Sequence, residues 1–481
     1  MSRAICLAML CALHANALAS PRTDPTRGRA VFTGAATPDA TSIEVNPAAL
    51  GLGNPNSQIY VAATATLDHL TITDRMLDID TGALSDGDRV SGNLLSPGGM
   101  AAYVWHPTNR IALGVAFHTS PAERFLEDKE AVRYHTLGGS HRTYAPSIAS
   151  SFRLTNRVHF GLSLAVHTSY LRLQFARDVP LAAGRDPQRG IDSDCGGAVC
   201  SIENPQGTER YDVDVSSDIV ALDNVVGTLG VVVRIAREIY LGIAYHTPPG
   251  LSIQNELTGT VNVERAPRDA AGMTIEGGAT VYISQPPSVD AELRMKLPAN
   301  LELHVGGRYE WLSRMQGYDV RSYDAAFARN GIPEWQPRAR GFNNSFAMWA
   351  GLEQAAQEFP LTVGGRIGFE TASVPDNRTS PMTIAPASLT LDTGVQYRLT
   401  RNQDVRPQVV LQLAYGIQYF PTVDVTNSEF DPRDQLSCYD SGYDYSIPAC
   451  EAVRHGYAIG TAAGEYTRIQ QAMRLALRFT W

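Results

Sequence analysis

The chain lacks any run of about eighteen apolar residues, the minimum for a helix that crosses a bilayer. Its longest near-apolar stretch, "VVGTLGVVV", is about nine residues long and broken by glycine. Positive charge is also scarce. The net charge is -9 and the pI about 5.7, and no concentrated basic patch offers a phosphate-binding face, so a nucleic-acid partner is excluded. Cysteine is rare, six in 481 residues. The two later pairs, Cys195/Cys200 and Cys438/Cys450, have no histidine beside them and are not spaced C-x-x-C, which argues against a metal site. Serines and histidines are scattered, without the nucleophile–base pattern of a lipase or protease. The expectation is a protein with no catalytic residues, no metal and no cofactor.

What is present begins with an export signal. Arg3 gives a positive start, "AICLAMLCAL" a short oily core, and Ala17-Leu18-Ala19 an A-x-A cleavage site before Ser20. Residues 1–19 therefore read as a signal peptide, whose removal takes Cys6 and Cys11 with it. Cys195 with Cys200, and Cys438 with Cys450, then remain in polar loop-like stretches and read as loop-closing disulfides of an oxidising compartment.

The dominant pattern is strict alternation. In the C-terminal "IQQAMRLALRFTW", Ile469, Met473, Leu475, Leu477, Phe479 and Trp481 share one face, while Arg474 and Arg478 share the other. The pattern recurs around Ile111–Phe117, Val158–Val166, Ile239–Tyr245, Val289–Leu297, Leu301–Trp311, Leu361–Phe369, Leu389–Leu399 and Val409–Tyr419. A soluble sandwich alternates too. Here the oily faces run longer than globular strands need, end in aromatics, and oppose faces carrying both signs of charge. Short connections such as "HPTNR", "LTNR", "LPAN" and "TRNQ" trade places with long ones at about 76–97, 120–142, 177–217, 247–287, 313–343, 372–387 and 421–464. The reading is all-β, a transmembrane antiparallel barrel of about fourteen strands spanning residues 57–481, in the outer membrane of a Gram-negative bacterium. Both chain ends fall on the short-turn side.

Such a barrel is too wide for its own side chains to fill, so it holds water or a plug. Residues 20–56 are the candidate plug. Within them "NPAALG" has cap logic: Asn46 can accept from the following amides, Pro47 suits the first helical position, and Gly51 can end the turn. An ordinary capped turn in a linker is the plainer alternative.

"GAATPDATSIEVNPAALG" resembles the N-terminal hatch of the FadL family, Gram-negative outer-membrane transporters of long-chain fatty acids and other hydrophobic compounds. The family's Asn-Pro-Ala motif maps to Asn46, Pro47 and Ala48. "GTLGVVVRIAREIYLGIAYHTPP" looks like its paired strands around a periplasmic turn, and Val374-Pro375-Asp376 like its Val-Pro-Asp loop element. The resemblance implies passive uptake of a hydrophobic small molecule, fatty acid or similar. Capture occurs at outer loops among lipopolysaccharide, the hatch moves, and the cargo leaves sideways through an irregular wall, as a monomer. A water-filled porin and an importer of aromatic hydrocarbons are the alternatives. "VAFHTSPAERF", with its proline, is the expected site of wall irregularity.

The lumen arginines Arg294, Arg308, Arg366, Arg398 and Arg474 are candidate contacts for a carboxylate. The competing reading pairs them with Asp290, Glu292, Glu302, Glu310, Glu370 and Asp392 to knit the wall and hold the hatch. His118, His167 and His246, at strand exits, read as interfacial. "YDVDVSSD" reads as a solvated acidic loop rather than a calcium site.

Overall fold

The structure is a computed structural model that describes residues 25–53, 56–78, 81–127, 129–178, 208–218, 222–251, 254–265, 273–400 and 407–481. The signal peptide and the Cys195/Cys200 pair lie outside the described residues. In chain order the strands begin with β1 (Gln58–Leu77), β2 (Leu84–Thr108), β3 (Ile111–Thr119), β4 (Glu123–Arg124), β5 (Gly138–Arg153), β6 (Val158–Val166) and β7 (Thr168–Asp178). Next come β8 (Thr208–Ser216), β9 (Val225–Ala236), β10 (Ile239–His246), β11 (Gln254–Arg265), β12 (Met273–Ser284), β13 (Ser288–Leu297) and β14 (Leu301–Glu310). The last are β15 (Gly317–Ser322), β16 (Trp335–Ala339), β17 (Ser345–Ala355), β18 (Leu361–Glu370), β19 (Ser388–Arg398), β20 (Gln408–Val425) and β21 (Gly464–Thr480).

Fourteen of these close an antiparallel barrel. β1, β2, β3, β5, β6, β9, β10, β13, β14, β17, β18, β19, β20 and β21 pair in that order, and β21 returns to β1 from Gln58↔Thr480 to Asp74↔Gly464. Within the ring every one of these strands has a partner on both sides, the condition for a sheet to sit in hydrocarbon.

The wall is inside-out relative to a soluble core. In β21 Met473 and Leu475 are 54% and 53% exposed while Arg474 between them is fully buried. The same inversion runs round the barrel: Phe160, Leu162, Leu164, Leu229, Ile243, Val305, Met348, Ile367, Leu391 and Leu413 all face outward. Asp290, Glu292, Arg294, His304, Arg366 and Asp392 are buried inward. A protein that turns its leucines out and its guanidiniums in has lipid as its outer solvent.

The strands reach farther than the alternation did. β1 and β2 stay paired to Leu77↔Leu84, so the 76–97 connection is mostly strand. β7, β8, β11, β12, β15 and β16 prolong one side of the wall as a second tier, paired in that order, with β7 also pairing β5. The expected loops at 177–217, 247–287 and 313–343 therefore contain strands. In this tier the alternation persists with its apolar face turned inward: Leu171, Leu173 and Phe175 of β7, Tyr211, Val213 and Val215 of β8, and Val281 and Ile283 of β12 are buried in one cluster, while Arg210 and Asp214 of β8 are exposed. "YDVDVSSD" begins inside β8, where Asp212 binds Arg172 and Gln174 across the sheet; it is a strand rather than a loop, and the described residues hold no His/Cys/Asp/Glu group suited to a metal. The 426–463 connection carries two helices, Pro432–Asp440 and Pro448–His455, joined by the Cys438–Cys450 disulfide.

Candidate functional site: the lumen

The described part of the N-terminal stretch, 25–53, touches strands on every side of the barrel. Arg474 of β21 donates to the Val31 carbonyl at 2.6 Å, and Arg366 of β18 to Thr33 O at 3.1 Å. Phe32 N donates to Glu353 of β17 at 2.8 Å. Ser151 of β5 donates to Ala48 O at 3.0 Å. His118 of β3 and Ser147 of β5 meet Glu44, the histidine at 3.3 Å. A segment in reach of β3, β5, β9, β17, β18 and β21 together lies inside the wall.

Asn46 works as its cap pattern predicts and does more. Its Oδ1 accepts from Ala48 N at 3.1 Å, while Nδ2 donates to Ala35 O at 2.6 Å and to Val231 O of β9 at 3.3 Å. Pro47 starts the short 3₁₀ helix Pro47–Leu52. The wall makes room with glycine. A Cβ at Gly161 of β6 would fall 2.1 Å from Ala48 N, and one at Gly230 of β9 would fall 1.9 Å from Asn46 Oδ1. Both are far inside contact distance, so only glycine lets the motif touch the wall.

Four of the five predicted arginines meet partners of two kinds. Arg294 pairs with Glu302 at 2.7 Å and reaches Ala36 O at 3.5 Å. Arg308 bridges Asp290 at 3.3 Å and Glu310 at 3.1 Å. Arg366 and Arg474 hold carbonyls of the inner segment. Arg398 lies near the short-turn end of β19, opposite Val410, away from the other four. The set is spread round the wall and does not converge on one point.

Above the inner segment is a cavity of about 420 Å³. Its lining includes His118, His141, His167, His246, Glu123 and Arg340. The histidines are thus lumenal rather than interfacial: His246 sits 3.0 Å from Asp290, and His118 stacks edge-on to His167. Their parity already said so, because His118 shares a face with Ala116 and Gly114. Burial pushes the Glu44 carboxyl up, but His118 and the Ser147 hydroxyl outweigh it and hold it below the ordinary glutamate value.

The third strand leaves the wall beside this cavity. β3 ends at Thr119, Ser120-Pro121-Ala122 turn away, and only Glu123–Arg124 rejoins, on β5. β2 from Leu84 to Gly98 is then paired on the β1 side alone among the described residues. Phe125 and Leu126, both buried, carry the segment inward, Phe125 to the second tier and Leu126 to the β1/β20/β21 side. The proline in "VAFHTSPAERF" marks the departure, since Pro121 has no amide to continue the ladder.

A closed fourteen-stranded barrel with an occupied lumen defines a class of outer-membrane transport protein. A family model described as outer membrane protein transport protein (OMPP1/FadL/TodX) matches residues 10–314, and the chain belongs to that family. Its members are transport channels and not enzymes. Among solved structures, a FadL homologue of Pseudomonas aeruginosa aligns over 97% of this chain and 99% of its own, with 15% identity and a TM-score of 0.70. The P. putida toluene transporter TodX aligns over the same shares at 12% identity and TM-score 0.62. The Ralstonia pickettii toluene transporter TbuX covers 95% and 98%, at 14% identity and TM-score 0.57. At these identities the likeness is one of fold. No curated protein matches the chain in sequence.

Proposed function

We propose that the chain carries hydrophobic compounds passively inward across the outer membrane, with long-chain fatty acids as the cargo and the N-terminal segment as a hatch. The observation that carries this reading is the pairing of an occupied lumen with a third strand that leaves the wall. An oily solute gains little from an aqueous bore, but a cavity of about 420 Å³ that borders both the segment and Pro121 offers it a sideways route. The capped Asn46-Pro47-Ala48 turn is the natural moving part. It is held by a handful of hydrogen bonds, each worth about 1 kcal/mol net, rather than by a sheet ladder. The domain division is accordingly a signal peptide at 1–19, a hatch at 20–56 and a barrel at 57–481, acting as a monomer among lipid and lipopolysaccharide.

Deleting residues 25–53 and recording single-channel conductance in planar bilayers tests the hatch. A near-silent protein should become leaky; unchanged conductance would remove the hatch and favour an open porin. Uptake of labelled oleate against labelled toluene, in cells lacking other such transporters, then decides the cargo. The toluene transporters among the structural neighbours make the aromatic alternative concrete.

A further inference from the structure

Charge is laid out unevenly along the wall, and the short-turn rim, the periplasmic one in such barrels, carries the exception. Three turns that follow one another round the ring, β2/β3, β5/β6 and β9/β10, hold Arg110, Arg153, Arg157, Arg234 and Arg237 against one carboxylate, Glu238. The turns are joined through their backbones. Arg153 N donates to Arg110 O at 2.8 Å, and Arg234 N to Arg157 O at 2.7 Å. The five therefore form one continuous arc. No run of the sequence is basic; the barrel itself assembles this patch, in a chain whose net charge is -9.

The fold makes little use of these guanidiniums. Arg237 pairs with its neighbour Glu238 at 3.7 Å, and its side chain is 90% exposed. Arg234 donates from Nε to the Arg237 carbonyl at 3.1 Å. Arg110, Arg153 and Arg157 enter no ion pair among the described residues, and Arg110 and Arg157 are exposed. The described remainder of the rim holds Lys296, Arg398 and Arg478 with Glu302, Glu353 and Glu358, and there Lys296 lies 3.7 Å from Glu302. Like charges crowded on one arc repel one another and draw anions to it.

What flanks the arc decides which anion. On the outward face, at the ends of β5 and β9, Phe152, Leu154 and Ile235 are exposed, Leu154 by 65% and Ile235 by 55%. They continue the stripe of Phe160, Leu162 and Leu229 that faces lipid. An oily edge that ends in guanidiniums marks the depth at which hydrocarbon gives way to phosphate. A soluble acidic protein would meet the arginines but not the stripe.

We propose that this arc is a binding surface for anionic phospholipid of the periplasmic leaflet, the phosphodiester resting on Arg110, Arg157 and Arg237 and the acyl chains on Phe152, Leu154 and Ile235. A phosphate offers two oxygens to the guanidinium fork, which suits arginine better than a point charge. The inference is independent of the cargo and of the hatch.

The test is native mass spectrometry of the full mature chain in detergent, given equal amounts of dioleoylphosphatidylglycerol and dioleoylphosphatidylcholine. The two share their acyl chains, so only the headgroup separates them. The glycerol lipid should be retained roughly fivefold over the choline lipid, the weight of one arginine at a charged lipid surface. Raising ammonium acetate about tenfold should shrink that preference, since salt screens exposed charges. Glycerol 3-phosphate at the same concentration should displace neither lipid; displacement would mean a small-anion site and overturn the lipid assignment. Arg110→Gln with Arg157→Gln and Arg237→Gln should erase the preference. Arg172→Gln with Arg210→Gln, on the long-loop side where both arginines are ion-paired, should leave it intact. Equal retention of the two lipids by the unsubstituted protein would overturn the proposal and leave the arc to an acidic periplasmic protein. A preference that survives the triple substitution, or that the long-loop pair abolishes as well, would overturn it too. Because the unsubstituted protein is measured first, a poorly folding variant cannot hide the answer.

Discussion

The floor and the mouth of this barrel spend arginine differently. At the floor, Arg366 and Arg474 reach inward from the wall to carbonyls of the inner segment, and Arg366 also faces Glu353 at 3.7 Å. At the mouth, Arg338 is nearly as buried but lines a cavity with aromatic walls, and it donates to the carbonyls of Tyr134 and His135. The same side chain ties the inner segment to the wall in one place and fastens loop backbone beside a cavity in the other. Burial alone therefore does not say what a guanidinium holds; its acceptor does.

The hardest way to break the floor is to take away its room. Gly230→Val places atoms where Asn46 Oδ1 now sits, 1.9 Å from the first added carbon, and the wall backbone cannot retreat without breaking β9 ladders on both sides. The motif should be expelled and the conductance should match that of the 25–53 deletion. A silent Gly230→Val channel would mean that the segment seals the barrel without this contact. Next comes Arg474→Met, which strands the Val31 carbonyl in a buried site. Leaving such an acceptor unmet costs about 1–3 kcal/mol, so intermittent channel openings should appear while hydrogen-exchange protection of 432–455 at the mouth stays unchanged. If Arg474→Met altered that protection, the division between floor and mouth would fail. Asn46→Ala removes a cap and two donor contacts, for about 1–2 kcal/mol, and should raise opening frequency less than Arg474→Met does.

The floor was the more legible of the two regions, for a physical reason. Lipid requires an apolar residue at every second wall position, and this wrote fourteen strands into the alternation; the cap logic of Asn46-Pro47 is local and needs no tertiary knowledge. What escaped was tertiary. Gly161 and Gly230 stood in plain view on the inward face of their strands, yet a strand glycine reads as a weakness until something is known to press on it. His118 looks interfacial by its place at a strand exit, although its parity with Ala116 puts it inside. The second tier reads as loops from sequence although it alternates too: its stripe, such as Tyr211, Val213 and Val215 of β8, is short, sits among aspartates and is buried inward rather than against lipid. Arg338 lies in that tier, in "EWQPRARG", where neither face alternates, so no periodic signal marked it.

At the mouth, the smallest effect comes from Asp434, in the first turn of the helix Pro432–Asp440. Burial pushes its carboxyl up to about 6, and Asp431 beside it adds to the rise while Arg433 opposes it. A carboxylate whose folded value lies above its unfolded one, about 3.9, favours the fold when protonated. Its stabilising share is thus complete below about pH 4 and is lost as pH rises through about 6. The group is only partly buried, and the positive end of its own helix favours the charged form, so solvent screening leaves about 1 kcal/mol or less. Hydrogen exchange across 432–455, corrected for its intrinsic pH dependence, should show slightly stronger protection at pH 4.5 than at pH 7.5, and Asp434→Asn should flatten the difference. The floor gives the contrast. Glu44 is held below its ordinary value, so its contribution runs the other way and is lost only as pH falls through that lowered value. Protection of 42–52 should therefore hold across the window in which the mouth loosens. If both regions changed together between pH 4.5 and 7.5, floor and mouth would be one cooperative unit, and their arginines could not be assigned separate roles.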